Sequence, residues 1–220
     1  MNRPPALPLL LAALALFAFR APAPAQDPDA APEAPALSAP SPEQPDQPPT
    51  QEQPMVILKT TLGDITIKLF PDKAPVTVAN FLAYVDSGHY NGTIFHRVID
   101  GFMIQAGDPL TKDANNKPRF GTGGPDYTIP AEFVPAHNHK KGALAAARRG
   151  DAVNPYKESS GSQFYIVQDE RNCAQLDGEY TVFGETIEGL DVIDKIASVE
   201  TDRRDCPLQD VKIVTIKLAE

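Results

Sequence analysis

Turn chemistry confines the folded part of this chain. All 14 glycines lie after residue 54, whereas 14 of the 23 prolines lie in residues 1–54. Tight turns need the positive φ that glycine adopts without steric cost, so a turn-rich domain has to begin beyond Pro54. The 166 residues after that point can bury one ordinary hydrophobic core, and a single domain is expected there.

The first 25 residues read as a secretory signal peptide. Arg3 is the charged start, Ala6 to Phe19 is an apolar run of 14 residues, and Ala23-Pro24-Ala25 supplies small residues ahead of a cut before Gln26. The run is short for a membrane span; an uncleaved anchor is the competing reading. No cysteine lies near the cut, which argues against a lipid anchor. The expected location is periplasmic or extracellular, with no stable membrane insertion after cleavage. Gln26 to Pro54 is rich in Pro, Ala, Gln, Asp and Glu, has little to bury, and reads as a disordered, extended tether.

The formal charge is −9; without residues 1–25 the chain keeps 18 basic and 29 acidic residues, net −11. That balance argues against nucleic acid or anionic lipid as the main partner. In an exported chain a disulfide between Cys173 and Cys206 is permitted, and so are two independent thiols, because spacing does not reveal whether their Cα atoms meet. His137 and His139 form H-x-H without a third ligand nearby, so no metal is expected.

Within the domain, Met55 to Thr60 and Asp64 to Phe70 flank Thr61-Leu62-Gly63, with Ile65, Ile67 and Leu69 on one side: a hairpin with one wet face. Pro75 opens and Gly88 closes a helix whose Val78, Phe81, Leu82 and Val85 form its core face. Asp108 to Asp126 is polar and contains Gly121-Thr122-Gly123-Gly124. No helix pattern follows to cradle a phosphate, so it reads as a loop at the rim of a cleft. Gly142 to Ala147, Ser162 to Val167 and Tyr180 to Phe183 read as further strands, Val211 to Leu218 as a cleanly alternating closing strand (Val211 and Ile213, then Val214, Ile216 and Leu218), and Asp191 to Ala197 as a second short helix. About eight short strands separated by turns predict a mainly β domain, a closed eight-stranded antiparallel β-barrel capped by two α-helices, because closure removes exposed edges.

The stretch Phe95 to Asp108, FHRVIDGFMIQAGD, carries the chemistry. It reads as strand, Asp100-Gly101 turn and strand, with one cation, Arg97, and one amide, Gln105, among Phe95, Val98, Ile99, Phe102, Met103 and Ile104. Together with GTGG, GALAAAR, SGSQFYIV and LDGEYTVFGE, in that order between about Met55 and Leu218, it resembles the cyclophilin-type peptidyl-prolyl cis–trans isomerases. The resemblance implies the barrel with an active groove on its outside. It implies Arg97 as the catalytic arginine and Gln105 as the residue that holds it and contacts substrate. Phe102, Met103, Phe164 and Leu176 then line a proline pocket walled by Tyr180, Ala147 and Arg148 form the edge that bonds the substrate backbone, and Gln163 shapes the groove. It further implies proline-containing peptides and folding or unfolded proteins as partners, no cofactor, and a monomer. Four positions depart from the usual pattern: Gln175 for Trp, Tyr180 for His, Arg148 for Asn, and Tyr165 for a second Phe. The first two should weaken cyclosporin binding, since Trp supplies surface and an indole donor.

These residue types suit the reaction. No bond breaks; the catalyst has only to favour a twisted amide, and a permanently charged donor aimed at the prolyl nitrogen does so. Taken alone, Arg97 reads equally as a surface residue paired with Asp100, and Phe102, Met103, Phe164 and Leu176 as plain core. His96 alternates to the inner face and reads as a satisfied buried histidine. Ser162 lacks a nucleophile setting. The alternative function is a chaperone or holdase that uses the same groove without turnover.

Overall fold

Alternation builds the first hairpin. Val56 and Leu58 of β1 (Met55–Thr60) and Ile65, Ile67 and Leu69 of β2 (Gly63–Leu69) are buried, and Val56 faces Ile67 while Leu58 faces Ile65. This computed structural model describes residues 53–219; the expected signal peptide and all but the last two residues of the expected tether lie outside the described residues. Helix α1 (Pro75–Asp86) begins on a proline, whose missing N–H costs nothing in a first turn, and buries Thr77, Val78, Phe81 and Val85. Strands β3 (Arg97–Ile99) and β4 (Met103–Ala106) form the expected tight hairpin, with Gly101 at φ 75°. Two 3-10 turns follow, Pro109–Lys112 and Ala114–Arg119. The remaining elements are β5 (Thr128–Ile129), β6 (Ala143–Arg148), β7 (Ser159–Val167), two further 3-10 turns (Glu170–Asn172 and Ala174–Leu176), β8 (Val182–Glu188), α2 (Leu190–Ala197) and β9 (Ile213–Leu218).

All pairings are antiparallel, in the order β3-β4-β7-β6-β8-β2-β1-β9, with β5 beside β7. The sheet curls into a half-barrel, and its ladder does not close as expected: the end strands β3 and β9 are not paired. The outer edge of β3 is occupied, because Val98 N–H donates to the Asp205 carbonyl at 2.8 Å. The seam is spanned instead by the segment before β3, where Gly92 and Phe95 donate to the carbonyls of Ile213 and Val211 at 2.8 and 3.0 Å. The clean alternation expected in β9 also fails. Thr60 faces Ile213 but Lys59 faces Thr215, so Val214 is an inserted bulge residue, and Ile213 and Ile216 are the buried pair.

The core lies inside the curl. Phe81 of α1 meets Tyr90, Phe164 and Phe183 with ring centroids 5.4, 5.7 and 5.3 Å away, and α2 adds Val192, Ile193 and Ile196. A second apolar cluster covers the outer face: Met103, Ala145, Ala147, Tyr165, Val167, Cys173 and Val182 among others. Strand β7 and most of β6 therefore lie between two apolar layers, which is why their sequences do not alternate. Cys173 and Cys206 are not bridged. Both are free buried thiols, Cys173 in that outer cluster and Cys206 in the turn closed by its N–H on Asp202 Oδ1.

Gly107 follows β4 at φ 90°, and a Cβ there would stand 2.3 Å from the Ser162 carbonyl oxygen; Gly92, at φ 81°, faces open space. Gly107→Ala is expected to cost about 3 kcal/mol or more, and Gly92→Ala about 1–2 kcal/mol for its dihedral alone, as read from urea unfolding midpoints.

Candidate active site

Strand parity assembles the site. Counting outward-facing positions from Arg97 across the β3–β4–β7 register gives Ile99, Met103, Gln105, Gln163, Tyr165 and Val167, because Arg97 faces Gln105 and Gln105 faces Tyr165. Of these, Arg97, Met103, Gln105 and Tyr165, together with Phe102 from the turn, Ala147 and Arg148 from β6, and Leu176 and Tyr180 from the loop after β7, surround a pocket of about 90 Å³. Gln105, Ala147 and Arg148 also line a wider groove of about 520 Å³ that runs past the 121–128 loop. Pocket and groove adjoin at these three residues.

Arg97 stands at the pocket mouth. Its only described ion pair is Nε to Asp205 Oδ2 at 3.8 Å, with both side chains nearly half exposed, so the tether is weak. The expected partner Asp100 is not involved; its carboxylate accepts from the Gly101 N–H. Gln105 lies opposite Arg97 but does not bond it. Its amide donates to Gln163 Oε1 at 3.0 Å, and Gln163 Nε2 donates to the carbonyls of Gly121 and Gly123 at 3.1 and 2.7 Å. The glycine loop therefore anchors Gln105. The backbone of Ala147 belongs to neither ladder: β6 pairs Ala146 with Phe164 and then jumps to Arg148 with Ser159, while its pairing with β8 ends at Ala145. That jump leaves an open strand edge facing the groove.

Arg148 has a structural task. Its side chain is 5% exposed; Nε donates to the Glu179 carbonyl at 2.8 Å, an Nη donates to the Glu179 carboxylate at 3.3 Å, and the guanidinium lies 4.5 Å from the Tyr180 ring. Asp151 and Lys157 complete the cluster. A cation clamped over the ring holds Tyr180 as the pocket wall.

Phe164, expected in the pocket, lies in the inner core against Phe81 and Tyr90. Tyr165 lines the pocket in its place, since neighbours on a strand face opposite ways. The period-2 signal was present in the sequence: Gln163 and Tyr165 share a side. His96 is buried as expected, but both its ring nitrogens lack partners, so it is not a satisfied histidine. His137 packs on Phe70 with centroids 4.6 Å apart, while His139 is buried and bonded to Asp177 and Tyr165, so H-x-H binds nothing jointly. Burial pushes the Cys173 thiol up to about 11, which removes it as a nucleophile beside the pocket.

The family model for cyclophilin type peptidyl-prolyl cis-trans isomerase/CLD matches residues 55–218. A peptidyl-prolyl cis-trans isomerase of Acinetobacter baylyi is 42% identical over 171 residues, covering 74% of this chain and 85% of its own length. One of Arabidopsis thaliana is 41% identical over 162 residues, covering 73% of this chain, and the match takes in only 24% of that longer protein. Among solved structures, a Cryptosporidium parvum cyclophilin type isomerase in the presence of the dipeptide Ala-Pro aligns with TM-score 0.66 and 30% identity, covering 76% of this chain and 99% of the other.

The unpartnered imidazole behind Arg97 has a measurable consequence. Burial drives His96 down to about 4, with Asp108 opposing and Arg97 reinforcing the shift. Below about pH 6.5 the unfolded chain takes up a proton that the folded chain refuses. Stability is therefore lost as pH falls from about 6.5 toward about 4, by up to about 3 kcal/mol. His89 and His139, also lowered by burial, act in the same direction. Urea unfolding at pH 7 and 4.5 should show this loss, and His96→Met should reduce it.

Proposed function

The chain belongs to the cyclophilin-type peptidyl-prolyl cis–trans isomerase family, and from that premise we propose that it catalyses rotation about X–Pro peptide bonds in proteins that are folding. The observation that carries the reading is the weakly tethered Arg97 guanidinium at the mouth of a small pocket walled by Phe102, Met103, Tyr165 and Leu176.

An X–Pro amide resists rotation through a barrier of about 18–20 kcal/mol set by resonance. Midway through the rotation the prolyl nitrogen loses conjugation and localises its lone pair. An Arg97 N–H aimed at that lone pair bonds more strongly in the twisted state than in the planar one, and this difference lowers the barrier. The pocket holds the pyrrolidine ring still and excludes water. Ala147, free of both ladders, offers its backbone to the peptide as an added strand would. Gln105, held by Gln163, presents its amide to the same peptide from the border of pocket and groove. The rest of the chain beyond the prolyl nitrogen can then turn. Nothing is oxidised, reduced or transferred, so the step calls for no cofactor.

The partners are proline-containing peptides and folding proteins. The charged start, apolar run and small-residue end of residues 1–25 support action after export, with residues 26–54 as a tether.

On a proline-containing peptide the mature chain should accelerate isomerisation. Arg97→Ala should lower kcat/KM about 100-fold or more at unchanged unfolding midpoint, and Arg97→Lys should recover only part, since a point charge lacks the planar fork. An inactive wild type, or a fully active Arg97→Ala, would overturn the reading.

A further inference from the structure

Behind the pocket runs a line of polar groups that the reaction above does not use. The Tyr165 hydroxyl lies 2.8 Å from Nε2 of His139. Nδ1 of His139 lies 2.8 Å from Oδ1 of Asp177, and the His139 backbone N–H donates to that same oxygen at 2.8 Å. The Tyr165 and His139 rings are stacked at 10°, and Tyr180 stands edge-on to both. Asp177 directly follows Leu176 in sequence. One imidazole thus joins the pocket floor on β7 to the loop that carries the pocket wall.

The chemistry assigns the protons. A carboxylate only accepts, so Nδ1 carries the hydrogen; a neutral ring then leaves Nε2 as an acceptor, and Tyr165 must donate. Burial lowers the proton affinity of His139 against the pull of Asp177 and pushes the Tyr165 hydroxyl well above its ordinary range. Both partners therefore stay neutral around pH 7, and the two bonds have one consistent direction. Phenylalanine at position 165 could not enter this line.

We infer that His139 is a positioning residue of the proline pocket: by accepting from Tyr165 and donating to Asp177 it sets the spacing between the Tyr165 floor and the Leu176–Tyr180 wall, and so how tightly the proline ring is held. This rests on the isomerase reading. His139 itself touches no substrate. The pocket grips the ring in the planar and the twisted states alike, so a loosened pocket should raise KM and spare kcat.

His139→Leu should raise KM about three- to tenfold with kcat within about twofold. His139→Gln, whose amide can still accept from Tyr165, should recover part of the loss and guards against a variant that fails to fold. In a Tyr165→Phe background the KM effect of His139→Leu should largely vanish; a full effect there would reduce His139 to ordinary packing and overturn the proposal. So would an unchanged KM in both His139 variants. Ring ¹⁵N NMR of the full chain should show the Nδ1–H tautomer, and an Nε2–H tautomer would overturn the proton assignment and with it the proposal. An inactive wild type would count against the isomerase reading, and the tautomer would still decide the role of His139.

Discussion

Strand β7 is buried on both faces, and the other parts of the site depend on that. Phe164 and Ile166 point into the core, while Tyr165 and Val167 point to the outer cluster. One strand is thus both a wall of the core and the floor of the pocket. Phe164 is held by Phe81 and Tyr90, aromatic contacts that bury large surfaces in defined geometry. A floor backed by such packing cannot shift without disturbing the core.

Around this floor the polar groups divide by mobility. Gln163 and Gln105 are locked in sequence by the glycine loop. Arg148 is locked as well, its charge used to hold Tyr180. Arg97 alone among these is half exposed and loosely paired, leaving its guanidinium free to follow a nitrogen that changes geometry. Two arginines with the same chemistry therefore take opposite tasks, one in the wall and one at the reaction, according to how many acceptors surround each.

Much of this was legible in the residues. Turn signals and short apolar runs located nearly every strand, and α1 and α2 followed from helical spacing and Pro and Gly punctuation. The motif set around FHRVIDGFMIQAGD picked out most of the pocket-lining residues. The errors have separate causes. The resemblance put Phe164 in the pocket, although parity with Gln163 favours Tyr165. The seam of the barrel stayed open because the Asp205 carbonyl takes the edge of β3. The β9 pattern slipped because a bulge at Val214 changes which residues face inward.

Sequence alone determined which segments are strands and helices, and which motif holds the cation and amide. Those properties are local: period, turn residues and caps act over a few positions. Tertiary structure alone decided which face each β7 residue takes, that Gln105 binds Gln163 across 58 positions, and that His139 reaches Tyr165 across 26. Such contacts depend on strand register. A shift of one residue would reverse every side chain, and only the packed layers on both sides of β7 select the register that places these groups together.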